Sequence, residues 1–215
     1  VQAWERHGVE FRFTPDITRN FPLEIGERLA NCAVRYRDRG VVGISLGGSE
    51  DRFPPAPFAR AFAIAREGGL KAAPHAGETA GPASIRSALD DLGADRLRHG
   101  VRAVEDTGLL SELAERGVVC DVTPVSNLRT GVVASLEEHP LPTMLAAGVK
   151  CSVGSDDPVL MQTSLTQDCE AAVRLGHTPR GMYEHGVAGA FCDERTRARL
   201  EAVGATFDWE SVDTR

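Results

Sequence analysis

The sequence predicts an α/β fold in which parallel strands are covered by helices, and three observations predict it. Short runs of apolar and β-branched residues alternate with amphipathic helical patterns along most of the chain. No long linker or low-complexity run interrupts the series. Polar residues capable of chemistry follow the ends of successive strands. Such alternation is typical of a parallel sheet with both faces covered, while periodicity alone leaves a closed barrel and an open sheet both possible.

Length and composition predict the number of domains and argue against nucleic-acid and membrane partners. The chain has 215 residues, and we expect one domain over residues 1–215. Its 24 Lys and Arg against 31 Asp and Glu give a net charge of −7, which opposes binding to the phosphates of nucleic acids. Charges interrupt every apolar run, so we expect no membrane partner. Five scattered cysteines without a Cys-x-x-Cys pair favour free thiols and a cytoplasmic location.

Six segments are predicted to be strands because apolar and β-branched residues dominate most of them. They are Glu10–Thr14, Val41–Leu46, Leu70–Pro74, Arg96–Arg98, Val118–Val122 and Val149–Val153. Helical patterns lie between them and stop at glycines, among them Gly40 and Gly117. From Ser164 onward the pattern predicts helices only. A (β/α)₈ barrel would therefore lack two βα units in this chain, whereas an open sheet would be complete.

Polar or glycine residues follow five successive predicted strands. They are Gly47 and Gly48, His75 and Glu78, His99, Ser126 and Asn127, and Asp156 and Asp157. In parallel βα folds, binding and catalytic groups collect at the carboxyl ends of the strands. The sequence therefore predicts one shared site at this edge.

The residue types at this edge are those of a metal-assisted hydrolase. The adjacent carboxylates of Asp156 and Asp157 repel each other unless a cation or a donor lies between them, and a helix N-cap before a proline explains only one of them. Imidazole and carboxylate suit zinc, so we expect His75 and Asp156 to bind Zn²⁺. Glu78 and His99 could supply the further acid and base. Two ligands fall short of the three or four that zinc needs.

A serine hydrolase is the competing interpretation of one motif. Gly43–Gly47 matches G-x-S-x-G, with Ser45 as nucleophile and Asp156 plus a later histidine as partners. The interpretation is weak because Ser45 falls inside a strand, and a loop with two prolines follows where a helix should begin. The remaining motif-free histidines are expected to be structural or exposed: His139, His177 and His185.

Taken together, four segments resemble the adenosine deaminase family, the zinc-dependent purine deaminases of the amidohydrolase superfamily. They are Pro74–Thr79, Asp95–Gly100, Thr123–Asn127 and Ser155–Pro158, in the order of the family. The resemblance implies a TIM-like (β/α)₈ barrel and the hydrolysis of adenosine to inosine and ammonia. It would make the partner a small purine nucleoside.

The resemblance also implies a role for individual residues. His75 and Asp156 are similar to the family's zinc ligands. Glu78 is similar to the proton donor to purine N1, and His99 to the histidine that orients and deprotonates the attacking water. Asp157 would bond to purine N7.

Gly48 is similar to the backbone donor to purine N3 in this family.

Two other substrates stay open within the same chemistry. Leu46–Gly48 and His75–Thr79 also resemble aminodeoxyfutalosine deaminases, and adenine deaminases are a further alternative.

Three departures from the family pattern bear on activity. No His-x-His pair occurs in the sequence, which with Val1 predicts an N-terminally incomplete chain lacking the first two βα units. Arg98 stands where the family usually has glycine, a cation that could perturb the pKa of His99. Thr123 replaces the usual cysteine, a change that we expect to be harmless. A non-catalytic truncated barrel that binds a purine or a partner chain is therefore the second hypothesis.

Overall fold

Residues 11–213 are described in the computed structural model, and the strands within this range all pair in parallel. Their order is β1-β2-β3 in one sheet and β4-β5-β6-β7 in a second. The bounds are Asp16–Thr18 (β1), Gly43–Gly47 (β2), Lys71–Ala72 (β3), His75–Ala76 (β4), Arg96–His99 (β5), Val119–Val122 (β6) and Lys150–Val153 (β7).

The two sheets are joined through Pro74, which lies between β3 and β4. On one side, the N–H of Ala73 donates to the carbonyl of Ile44 at 3.0 Å. On the other, the carbonyl of Pro74 accepts the N–H of Arg98 at 3.0 Å. Proline has no N–H to donate, so the ladder is interrupted there. Leu70–Pro74, predicted as one strand, therefore spans β3 and leads into β4.

The first predicted strand is misplaced. Glu10 lies outside the described residues, and Phe13 makes only an isolated bridge with Val41. The strand begins instead at Asp16 and pairs with β2, where Asp16 lies opposite Ser45. Burial explains the shift: Ile17 is 2% exposed, whereas the side chain of Phe13 is 57% exposed. High β-propensity does not form a strand without a surface to pack on.

Helices follow the strands as predicted, and only helices follow β7. The first four are Leu23–Arg35 (α1), Ala59–Glu67 (α2), Pro82–Asp90 (α3) and Thr107–Glu115 (α4). The sequence did not predict the short α5 (Pro124–Arg129) and α6 (Leu141–Ala146). The last four are Leu165–Arg174 (α7), Pro179–Gly189 (α8), Glu194–Thr206 (α9) and Glu210–Asp213 (α10). Among the described residues, no helix has the length and apolar character that a membrane crossing requires.

Two apolar clusters hold the helices against the strands. Ile44, Leu46 and Phe62 belong to the cluster around β1–β3, while Leu97 and Leu113 belong to that around β4–β7. Each of these side chains is at most 1% exposed. Burial of this kind contributes about 1.5–3 kcal/mol per large apolar side chain. The packing fixes the strands, and with them the relative positions of the residues at their carboxyl ends.

Candidate active site

Four of the predicted site residues meet at the carboxyl ends of β4, β5 and β7. The imidazole rings of His75 and His99 have centroids 5.3 Å apart. His99 Nε2 lies 3.5 Å from a carboxylate oxygen of Glu78. One potential ligand atom from each of His75, His99 and Asp156 lies within 4.8 Å of the others. The fold therefore gathers an acid, two imidazoles and a carboxylate in one small volume.

His75 is oriented by the neighbouring strand β2. Its Nδ1 lies 3.1 Å from the carbonyl oxygen of Leu46 and 3.3 Å from Ser45 Oγ. Because a carbonyl can only accept, Nδ1 carries the hydrogen and Nε2 keeps a bare lone pair. Burial lowers the pKa of His75 and favours the neutral ring. The imidazole is thus prepared as a metal ligand through Nε2.

Asp156 is oriented by Ser126, whose hydroxyl donates to one carboxylate oxygen at 2.7 Å. Its backbone is in the left-handed region with φ of 54°, which costs about 1–3 kcal/mol for a residue other than glycine. The second carboxylate oxygen remains available to a ligand. An imidazole nitrogen and a carboxylate oxygen, each held by an outer hydrogen bond, fit a zinc ion.

His99 closes β5 with φ of 64°, followed by Gly100 with φ of 69°. This left-handed pair turns the chain sharply at the strand end. The ring is 2% exposed, and its Nδ1 lies 3.2 Å from Asn127 Nδ2 and 3.3 Å from Thr123 Oγ1. Burial, and then the neighbouring His75, lower the pKa of His99.

Arg98 contributes less to that lowering than burial or His75 does. Burial and His75 both precede it among the causes of the lowered pKa of His99. Its guanidinium donates to Thr14 Oγ1 at 2.8 Å. The cation that departs from the family pattern is thus engaged with the segment before β1.

Glu78 has the properties of a proton donor. Burial, and after it the nearby carboxylates of Asp156 and Glu50, raise the pKa of its carboxyl to about 7. A substantial fraction of Glu78 is therefore protonated at neutral pH. A neutral carboxyl next to an imidazole is suited to donate a hydrogen to a substrate nitrogen.

Glu50 is a site residue that sequence reasoning missed. Its carboxylate is 4% exposed and accepts the backbone N–H groups of residues 77 to 80 at 2.6–3.1 Å, together with the Ser84 hydroxyl at 2.5 Å. Burial opposes its charge, but the Ser84 hydroxyl and these backbone bonds prevail and lower the pKa of Glu50. One carboxylate thus fixes the loop that carries Glu78. Four of these five partners are backbone groups, so no sequence motif marks Glu50.

Arg19 is a second missed residue. It is 1% exposed, donates to the carbonyl of Phe53 at 2.8 Å and to that of Leu46 at 3.4 Å, and also donates to the carbonyl of His75. The guanidinium therefore ties the end of β2 to β4, beside the candidate metal ligand.

The two predicted substrate-binding residues lie at the exposed rim of these strand ends. Gly48 has φ of 98°, and a Cβ there would approach Asn20 Oδ1 to 2.4 Å, so the position requires glycine. Asp157 Oδ1 accepts the N–H of Leu160 at 3.1 Å within a turn, and no helix begins at Pro158. Their contacts with a purine stay predictions.

A cavity of about 370 Å³ opens beside the cluster, a volume suited to a small molecule. Its lining includes His99 and Asp156 from the cluster, Thr123, and the ion pair of Arg96 with Asp121, whose nitrogen and oxygen lie 2.7 Å apart. A ligand in this cavity would contact the predicted catalytic histidine and the predicted metal ligand together.

The serine-hydrolase interpretation is not supported by the geometry. Ser45 is fully buried within β2, and the following α-helix begins only at Ala59. No sharp strand-to-helix turn presents its hydroxyl. His177 and His185 contact the backbone of Cys151, where His177 Nε2 lies 2.8 Å from the carbonyl oxygen. These two histidines are structural, as predicted.

Comparison with known proteins identifies the family. The model of the family described as adenosine deaminase matches residues 2–203. The chain belongs to the adenosine deaminase family. It is 42% identical over 98% of its length to an aminodeoxyfutalosine deaminase from Acidothermus cellulolyticus, of which it covers 61%. It is 41% identical over 94% of its length to an adenine deaminase from Sinorhizobium medicae, of which it covers 63%.

A solved member of the amidohydrolases shares the fold of this deaminase-family chain. The amidohydrolase from Burkholderia ambifaria, determined with bound zinc, superposes with a TM-score of 0.91 at 29% identity, over 99% of this chain and 61% of its own. The sheet is therefore part of a TIM-like (β/α)₈ barrel, as the resemblance implied. The chain spans less than two thirds of the length of each of these relatives.

Proposed function

We propose that the protein containing this chain hydrolyses the 6-amino group of a purine, with zinc bound in part by His75 and Asp156. The observation that carries the proposal is the carboxyl of Glu78. Burial gives it a pKa of about 7, and it lies 3.5 Å from His99 Nε2 in a cluster with a candidate metal site. The paired arrangement of a protonated acid and a metal site suits replacement of an amino group by water.

The reaction adds one water across C6 and N1 of the purine and then expels ammonia. Zinc, when bound, lowers the pKa of a water molecule so that hydroxide forms near neutral pH. Glu78 donates its proton to N1, which makes C6 more electrophilic. His99 holds the attacking oxygen against C6 by a hydrogen bond. The hydrogen of the new C6 hydroxyl passes to the amino group, the C6–N bond breaks, ammonia leaves, and the ring retains a carbonyl at C6 with the proton from Glu78 on N1. The proton released when water becomes hydroxide restores the acid form of Glu78.

Three 6-aminopurine compounds are candidate substrates for this reaction. Adenosine is the substrate that the sequence resemblance implies. The relatives described above are named for aminodeoxyfutalosine and for adenine. We therefore rank these two compounds above adenosine for this protein. All three present the same 6-aminopurine edge to Glu78, and they differ only in the group on N9.

The competing function is purine binding without turnover. It is favoured by the ligand count, since His75 and Asp156 supply two of the three or four ligands that zinc needs, and we assign His99, the third residue of the candidate metal cluster, to the attacking oxygen instead.

The deciding experiment measures ammonia release by the full-length gene product loaded with zinc. Adenine, aminodeoxyfutalosine and adenosine are each supplied, and the Glu78→Gln variant and a chelated sample serve as controls. We expect stoichiometric ammonia and a 6-oxopurine product from at least one compound, with no ammonia from the chelated sample and a rate lower by about 10²–10⁴-fold in Glu78→Gln. Tight purine binding with a full zinc content but no ammonia would establish the non-catalytic alternative.

A further inference from the structure

Asn127 lies between two imidazole rings in the interior of the protein. Its Nδ2 is 3.2 Å from His99 Nδ1, and its Oδ1 is 3.1 Å from His139 Nε2. All three residues are buried: His99 is 2% exposed, Asn127 is 0% exposed and His139 is 3% exposed. Because buried polar atoms pair with one another rather than with bulk water, each contact constrains the next.

The direction of these hydrogen bonds is fixed at one end by the backbone. The N–H of Leu141, the first residue of α6, points to His139 Nδ1 at 3.0 Å. A backbone N–H can only donate, so Nδ1 accepts and the hydrogen of the neutral ring lies on Nε2. This Nε2–H needs an acceptor, which makes the atom of Asn127 that faces it the amide oxygen.

The opposite atom of Asn127 is then its NH₂ group, which faces His99. Because NH₂ can only donate, Nδ1 of His99 must accept, and the hydrogen of a neutral His99 lies on Nε2. The Thr123 hydroxyl, 3.3 Å from the same Nδ1, can donate to it as well. Burial also lowers the pKa of His139 to about 4, which keeps that ring neutral and the series of bonds in this direction.

We infer that His139 is a positioning residue that acts through Asn127 to hold His99 with its hydrogen on Nε2. His75 is held in the opposite state, with its hydrogen on Nδ1 facing the carbonyl of Leu46 at 3.1 Å. Two rings with centroids 5.3 Å apart therefore present unlike groups to one volume. His75 offers a lone pair, which suits a metal ligand, and His99 offers an N–H.

This assignment changes the role that the family resemblance implies for His99. With a hydrogen already on Nε2, the neutral ring has no lone pair there to bind a metal or to remove a proton from water. It acts instead as a hydrogen-bond donor that orients the attacking oxygen and stabilises its negative charge. The catalytic consequence rests on the proposed function, whereas the position of the hydrogen does not.

The test observes the ring nitrogens directly. In ¹⁵N-histidine-labelled, metal-free protein, protonated and bare ring nitrogens give well-separated NMR signals. We expect His99 and His139 to have bare Nδ1 and protonated Nε2, and His75 to have the reverse. A protonated Nδ1 on neutral His99 in the unaltered protein would overturn the inference.

The decisive variant is Asn127→Asp, because a carboxylate can only accept hydrogen bonds. It should draw a hydrogen onto Nδ1 of His99 and leave His139 unchanged. Asn31→Asp, an identical change at an exposed position of α1, is the matched control and should leave both rings as they were. An unchanged His99 in a folded Asn127→Asp protein would contradict the inference.

Kinetics separate this inference from the proposed function. In the zinc-loaded full-length protein, Asn127→Asp should lower kcat by about 10–100-fold with little change in KM, while Asn31→Asp retains activity. If no form of the protein deaminates a purine, the proposed function fails while the NMR result still decides the tautomer. If kcat is unaffected although the hydrogen has moved, the catalytic role that we assign to the Nε2 hydrogen of His99 is wrong.

Discussion

A carboxylate oxygen of Glu50 accepts the backbone N–H of Glu78 at 3.0 Å, so one buried acid holds in place the chain segment that carries another. The pKa values of the two acids are shifted in opposite directions for physical reasons. Hydrogen bonds from Ser84 and from the loop keep Glu50 charged, whereas burial raises the pKa of Glu78 to about 7. The negative charge of Glu50 is itself one of the causes of the raised pKa.

Replacing this anchor should destabilise both the fold and the site. In Glu50→Gln, the uncharged amide offers one acceptor oxygen, and its NH₂ group faces backbone N–H donors. We expect the free energy of unfolding to fall by about 2–3 kcal/mol, measured by urea denaturation, because hydrogen bonds to a charged group are lost in the interior. Glu67→Gln at the exposed end of α2 is the control and should change stability little. Equal stabilities for the two variants would remove the anchoring role.

Glu78→Gln tests the proton donor itself. The amide keeps the size of the side chain but cannot supply an acidic proton, so kcat should fall by about 10²–10⁴-fold. Binding of an unreactive purine analogue, measured by calorimetry, should change little because the contacts of the ring are retained. Turnover at the normal rate in this variant would refute the role of Glu78.

Alanine variants of Asp156 and Asp157 should distinguish metal binding from substrate binding. Asp156→Ala removes the carboxylate that accepts the Ser126 hydroxyl at 2.7 Å and that we propose as a zinc ligand. The zinc content of this variant, measured by elemental analysis, should fall sharply. Asp157→Ala should retain zinc and raise KM, since its carboxylate is predicted to contact the purine. Zinc loss in both variants, or in neither, would contradict this division.

Much of the fold follows from local pattern. Five of the six predicted strands and the long helices occur close to their predicted positions, because alternation of β-branched runs with amphipathic segments reflects burial directly. The first strand failed because the side chain of Phe13 finds no surface to pack on, whereas Ile17 does. Whether the sheet belongs to a barrel could not come from periodicity and depends on the relatives.

The candidate site was predictable where residues stand in motifs at strand ends, as for His75, Glu78 and Asp156. It was not predictable where a side chain acts through backbone groups or at a distance in sequence. Glu50 serves the loop that starts 27 residues later, and Asn127 reaches His99 across 28 residues. His139 was expected to be structural or exposed because nothing in its local sequence indicates a partner. Its burial and its contact with Asn127 become visible only in three dimensions.

Burial of His139 predicts a specific dependence of stability on pH. Its pKa is lowered to about 4 in the folded protein, whereas an unfolded histidine has a pKa of about 6.5. As pH falls below about 6.5, the unfolded chain binds a proton that the folded protein does not, so stability declines down to about pH 4. This residue alone should lower the free energy of unfolding by about 2 kcal/mol between pH 7 and pH 5.

The measurement compares urea denaturation at pH 7 and pH 5 for the unaltered protein and for His139→Gln. Other buried histidines with lowered pKa values, such as His177, contribute to the same decline in both proteins. The informative quantity is therefore the difference between the two pH dependences, which should approach about 2 kcal/mol. His139→Gln could instead lose as much stability between pH 7 and pH 5 as the unaltered protein. That result would show that the pKa of His139 is the same in the folded and unfolded states. The direction that we assign to the hydrogen bonds of His139 depends in part on its ring being neutral, and that part of the argument would then fail.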